Sequence, residues 1–162
     1  MGSRSKTNKN NYAYIAGFLD GDGSLMLQVK KRSDSKKGWR IMMTICLYQD
    51  SRHEKPLFWM RQKLGIGYIS RRNDGISELR VNGYKQIQQI LKLLLPFIRF
   101  KKVQAIILSK AATLLNKKSS RCLTRKERYI LIDWILNIQS QNYVARRKKT
   151  RKELEKVLDL TP

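Results

Sequence analysis

Tyr14-Ile15-Ala16-Gly17-Phe18-Leu19-Asp20-Gly21-Asp22-Gly23-Ser24 is the stretch on which the fold turns. Its first half spaces apolar and small residues as a helix does. Asn11 offers a cap for that helix, which is expected to run through Leu19 and stop at Gly21. From Gly23 the period changes to two: Leu25, Leu27 and Val29 point one way, and Ser24, Met26, Gln28, Lys30 and Arg32 the other. That is a half-buried strand. Ser33–Gly38 is a polar turn, and Trp39–Gln49 resumes the alternation with Ile41, Met43, Ile45 and Leu47 on one face. The unit is a helix that ends in two acids and passes directly into a long β-hairpin.

Outward from this unit the pattern repeats with less force. Ser51–Leu64 reads as a helix, with Pro56 tolerated near its start. Tyr68–Arg72 and Ile76–Val81 form a second hairpin around Asn73-Asp74-Gly75. Tyr84–Leu95 and Lys101–Asn116 are apolar-rich helices separated by Pro96. Thr124-Arg125-Lys126-Glu127 and Thr150-Arg151-Lys152-Glu153 are two capping boxes, opening helices to about Ser140 and Leu160. The expected class is α+β: a mostly antiparallel sheet, helices on one of its faces, and a polar sheet face left uncovered. Residues 1–10 are expected to be loose and 11–162 to form one domain, with C-terminal helices from about residue 124.

The composition narrows the partners. Of 162 residues, 35 are Lys or Arg and 12 are Asp or Glu, a formal charge of +23. Such an excess repels itself and fits an anionic partner, of which nucleic acid is the first candidate. A passive, ribosome-associated binder and an enzyme both remain compatible with charge alone. Cys46 and Cys122 have no CxxC neighbour, so a disulfide framework or zinc site is not expected and a reducing, intracellular compartment fits. The longest apolar run, Ile90–Ile98, is interrupted and too short to span a bilayer. A single histidine, His53, excludes nuclease sites built on several histidines. Lys-, Ile- and Asn-rich usage points toward an AT-rich organellar gene.

The acids stand out against this background. Asp20 and Asp22 occupy the C-terminal end of a helix, where the dipole disfavours negative charge and a compensating cation is wanted. Carboxylates and an exposed carbonyl at Gly21 are the donors that Mg²⁺ prefers. A plain Asp-Gly helix stop is the alternative. On the preceding helix, Ala13, Ala16, Gly17 and Gly21 fall three or four apart, a stripe that admits a second backbone closely, with Asp20 at its end. If that backbone belongs to a second copy, two Asp22 carboxylates meet near a two-fold axis. The uncovered sheet face is basic, and a two-stranded ribbon fits the DNA major groove.

The run from Tyr14 to Ser24 resembles the LAGLIDADG motif of homing endonucleases, and with the hairpin behind it the order αββαββα is similar to single-motif members. The resemblance implies a curved antiparallel sheet and a homodimer that cuts both strands of a long, pseudo-palindromic DNA target with Mg²⁺. It also implies an intron-encoded gene, in a chloroplast or mitochondrion. Asp22 matches the metal-binding acid, Gly21 the residue whose carbonyl assists it, and Asp20 a structural acid at the helix end. Gln49 matches a residue that orients water, Lys101 a lysine near the scissile phosphate, and His53 a position where the family often carries Arg. Base contacts are expected from Gln28, Lys30, Arg32, Arg40, Met42, Thr44, Cys46, Ser70, Arg72, Glu78 and Arg80. An RNA maturase, or a DNA binder that does not cut, would use the same scaffold.

Overall fold

A computed structural model describes residues 3–31, 38–118, 122–142 and 148–160, with side chains defined outside 3–7 and 31. The elements run α1 (Ser3–Asp22), β1 (Gly23–Lys31), β2 (Trp39–Asp50), α2 (Lys55–Leu64), β3 (Tyr68–Arg71), β4 (Ile76–Asn82), α3 (Tyr84–Leu94), α4 (Lys102–Lys117), α5 (Arg125–Gln141) and α6 (Arg151–Val157). The four strands form one antiparallel sheet in the order β1-β2-β4-β3. The alternation read from sequence holds: Leu25, Leu27, Val29, Ile41, Met43, Ile45 and Leu47 are all buried on the inner face. Helices pack on that face, and Ile15, Leu79, Ile87, Leu91, Leu108, Leu131 and Leu154 join the same apolar cluster.

Several boundaries differ from expectation. Helix α1 starts at Ser3, well ahead of Asn11, so it covers most of the stretch expected to be loose. Neither proline nor glycine interrupts Ser3–Ala16, and a capping residue permits a helix start without enforcing one. Its other end runs through Gly21 to Asp22, because Gly21 keeps a right-handed backbone. The expected Ser51–Leu64 helix is split into a 3-10 turn at Ser51–His53 and α2. There the Asp50 carboxylate accepts from Arg52 N at 2.8 Å, Pro56 sits in the first turn of α2, and Gly65 closes that helix with φ 68°. At the far end α6 stops at Val157 rather than Leu160, with Asp159 turning left-handed at φ 55°. Both capping boxes are formed, Thr124 with Glu127 and Thr150 with Glu153.

β2 is longer than β4. Pairing between them covers Thr44–Asp50, so the β1–β2 hairpin projects beyond Thr44 as a two-stranded ribbon. On the free side of β1, Asn142 Nδ2 donates to the Leu25 carbonyl (3.4 Å) and Lys149 Nζ to the Val29 carbonyl (2.6 Å). Two side chains from the C-terminal part of the chain therefore occupy acceptors on the open edge.

One ion-like contact fixes α1 against the rest. Asp20 is buried, and its carboxylate accepts three successive backbone N–H groups ahead of α4: Arg99 (2.6 Å), Phe100 (3.2 Å) and Lys101 (3.0 Å). Consecutive amides turned onto one anion form a nest. The strand side of the same junction is just as tight. A Cβ on Gly23 would lie 2.5 Å from Leu19 Cδ1 and 2.8 Å from the Leu19 carbonyl oxygen.

Two stability losses follow, both readable from urea unfolding. Asp20→Ala orphans three amides and is expected to cost about 2–4 kcal/mol. Gly23→Ala meets backbone that cannot swing away and is expected to cost about 1–3 kcal/mol. Wild-type midpoints in both variants would contradict this account of the junction.

Candidate functional site

Asp20 and Asp22 share a type and a helix end, yet the helix turns about 200° over two residues, so they point to opposite sides. Asp20 faces inward and is fully engaged. Asp22 is exposed, and no hydrogen bond or ion pair with another described residue holds its carboxylate. Lys101 completes the corner. Its Nζ donates to the Asp20 carbonyl and more weakly, at 3.5 Å, to the Gly21 carbonyl. An ammonium thus sits on the negative end of α1, where the helix dipole favours it. Burial pulls the Lys101 ammonium below its usual range, and the charges of Asp20 and Asp22 work against that shift.

The sheet brings in Gln49. Gly23 pairs with Leu47, so Gln49 stands two residues beyond, beside the point where α1 becomes β1. Its Oε1 accepts from Asp50 N at 2.9 Å, which leaves the amide –NH₂ as the free end. His53 is exposed on the 3-10 turn, next to Arg52, whose side-chain and backbone hydrogen bonds hold the Asp50 carboxyl below the usual carboxylate range. Asp20, Asp22, Lys101 and Gln49 therefore gather at one end of the sheet, with His53 on an outer turn of that end.

The donor set fits a hard cation only in part. Asp22 and the carbonyls at the helix end are oxygen donors of the kind Mg²⁺ takes. Among the described residues, however, no group of three or more His, Cys, Asp or Glu side chains comes together. At this corner the described residues of one chain offer one free carboxylate, that of Asp22.

The outer sheet face departs from expectation in an instructive way. Gln28, Lys30 and Arg40 are exposed, and none hydrogen-bonds to another described residue. Met42 and Ser70 are half-buried, and Arg32 lies outside the described residues. Thr44, Cys46 and Glu78 are not available as base contacts. Thr44 is 4% exposed, and its hydroxyl donates to Asn82 Oδ1 at 2.8 Å. Cys46 is 1% exposed, between its strand neighbours Ser24 and Arg80, and burial pushes its thiol up. Glu78 is 4% exposed and ion-paired to Arg72 and Arg80. Long neighbours on adjacent strands cover these positions, which alternation along one strand does not reveal.

The same cross-strand view adds residues that the sequence reading did not single out as contacts. Ser24 and Tyr48 share a hydrogen bond of 2.7 Å, and burial pushes the Tyr48 phenol up to about 12. Asn82 extends β4 by one outward position beyond the expected Val81, and its amide donates to the Tyr68 hydroxyl at 3.0 Å.

The stripe expected at a dimer contact is also corrected. Ala16 is fully buried in the chain's own core and Asp20 is bound to residues 99–101, so neither faces outward. Gly17 and Gly21 are exposed, with nothing within 4 Å of a Cβ added to either, and Ala13 is half-buried. Tyr14 and, beside Asp20, Phe100 and Val103 are exposed apolar residues, Phe100 at 89%.

Comparison with known proteins identifies the family. The profile of the LAGLIDADG endonuclease family matches residues 15–105. DNA endonuclease I-CvuI of Chlorella vulgaris is 33% identical over 94 residues, a match that covers 58% of this chain and 58% of that one. DNA endonuclease I-CreI of Chlamydomonas reinhardtii is 28% identical over 157 residues, 96% of this chain and 93% of that one. Among solved structures, I-CvuI in complex with the I-CreI target superposes with a TM-score of 0.81 at 23% identity, covering 94% of this chain and 95% of that one. The profile begins inside α1, takes in the Asp-Gly-Asp-Gly turn and both hairpins, and ends in α4 beyond Lys101, so the elements that build the corner are the elements that define the group: the chain belongs to the LAGLIDADG endonuclease family.

Proposed function

We propose that this chain is a site-specific homing endonuclease that works as a homodimer and cuts both strands of a long, pseudo-palindromic DNA duplex with Mg²⁺. The observation that carries the reading is the free Asp22 carboxylate, exposed at a helix end beside the half-buried Lys101 and the open stripe of Gly17 and Gly21. A second copy packed on that stripe would bring its own Asp22 alongside. The exposed Tyr14, Phe100 and Val103 support such a contact. The algal origin of I-CvuI and I-CreI supports an intron-borne, organellar gene.

Hydrolysis adds one water across a P–O3′ bond, leaving a 3′-hydroxyl and a 5′-phosphate. Asp22 from each copy, with the Gly21 carbonyl, would hold Mg²⁺. Bound there, the ion supplies Lewis-acid stabilisation of the phosphoryl oxygens and acidifies water. Lys101 places a positive charge, already partly desolvated, where negative charge builds on the phosphate. Gln49, anchored through Oε1, would use its free –NH₂ end to orient a water. His53 lies outside this corner, on the exposed turn after β2.

Asp22→Asn is expected to abolish cleavage of target DNA while leaving binding within a few-fold of wild type, measured by gel shift beside a cleavage assay. Cleavage in EDTA, or by Asp22→Asn at the wild-type rate, would refute the assignment. Lys101→Met is expected to slow cleavage by on the order of 10²–10³-fold. Gly17→Leu has room in the single chain, so it is expected to fold yet sediment as a monomer and fail to cut. A cutting, dimeric Gly17→Leu would move the interface elsewhere.

A further inference from the structure

The outer sheet face is divided into two differently built halves. Where the β1–β2 ribbon projects beyond β4, Gln28, Lys30 and Arg40 stand free. Where β3 and β4 are present, Arg72, Glu78 and Arg80 are bound to one another, as are Asn82 and Tyr68. Glu78 is at the centre of this half. Its Oε1 accepts from Arg72 Nη1 at 3.1 Å and its Oε2 from Arg80 Nη1 at 2.8 Å. Arg72 is held a second time by Asp74 in the turn between the strands. Arg80 lies opposite Cys46 in the β2–β4 register, and its Nε is buried without an acceptor. Thr44, Asn82 and Tyr68 form a second hydrogen-bonded row next to it.

A carboxylate so placed cannot itself read a base, since each oxygen already accepts a guanidinium and almost no surface remains. It does two other things. It fixes two long side chains in set rotamers before any DNA arrives, so their ordering is not charged against binding. It also cancels part of their charge, which weakens attraction to phosphates in general while leaving free guanidinium donors for the O6 and N7 acceptors of guanine. The unpaired Gln28, Lys30 and Arg40 have neither restraint and can settle on more than one base.

Building on the endonuclease reading above, we infer that Glu78 is a positioning residue for DNA recognition: it clamps Arg72 and Arg80 as a preset guanine-reading unit. Base pairs under β3–β4 are thereby discriminated more sharply than those under the β1–β2 ribbon.

The test uses the full chain and the DNA target selected from a randomised library. Affinities of wild type, Glu78→Gln, Arg72→Met, Arg80→Met and Arg40→Ala are measured on that target, on every single-base variant and on unrelated DNA, at several salt concentrations. Glu78→Gln keeps the volume of the side chain, and thermal unfolding checks that it is folded. Relative to wild type it is expected to bind unrelated DNA about tenfold more tightly and with a steeper salt dependence. Its preference should fall about tenfold, the worth of one good base contact, only at the positions that Arg72→Met and Arg80→Met also relax. Positions relaxed by Arg40→Ala should be unchanged. Unaltered preference, or a loss spread evenly over the half-site, would overturn the role given to Glu78. A wild-type chain with no preferred target would instead bring down the endonuclease reading on which it rests.

Discussion

The Asp20 carboxylate, closed in by the amides of Arg99, Phe100 and Lys101, is the contact from which the working end of the molecule is built. It joins two segments 79 or more residues apart in the chain. Because α1 cannot rotate without breaking three charge-assisted bonds, the direction of everything else on its last turn is set. Asp22 is thrown to the opposite side of the helix, into solvent. Lys101 follows its own bound amide into the corner and places its ammonium on the carbonyls of Asp20 and Gly21. A negative helix end, a cation on it and a free carboxylate beside it are consequences of one buried acid.

Two acids of identical chemistry thus take unlike parts for a geometric reason. Inward, a carboxylate is desolvated and must be repaid by hydrogen bonds, and three amides do so. Outward, it stays hydrated and needs no partner within its own chain, which leaves it open to a cation and a second subunit. Gly23 is the hinge of this division: the turn from helix to strand is so tight that a single methyl would collide with the Leu19 backbone.

Much of this was legible in the sequence. Period-two alternation located both faces of β1 and β2, the capping boxes located α5 and α6, and the acids at a helix end drew attention to the candidate site. What escaped was what depends on distant neighbours. Asp20 looked like a member of an exposed contact stripe because its partners at residues 99–101 are far off in the chain. Thr44, Cys46 and Glu78 alternate outward as expected, yet Tyr48, Arg80, Arg72 and Asn82 from the same and adjacent strands close over or pair with them. Ala16 belongs to the small-residue stripe by spacing, but its azimuth on the helix is that of Ile15 and Leu19, toward the core. Periodicity gives the face of a residue, and only register gives what lies across from it.

The side chains of Asn142 and Lys149 on the outer carbonyls of β1 bear on a different matter. A sheet that ends in an unpaired strand is a template for another strand, which exposes it to stacking edge to edge into fibrils. Here two acceptors that an incoming strand would need are already spoken for, and one of the plugs carries a charge that a growing stack would have to bury. The C-terminal segment therefore acts as a selvedge on the woven sheet, turning incoming strands away from open-ended β-addition.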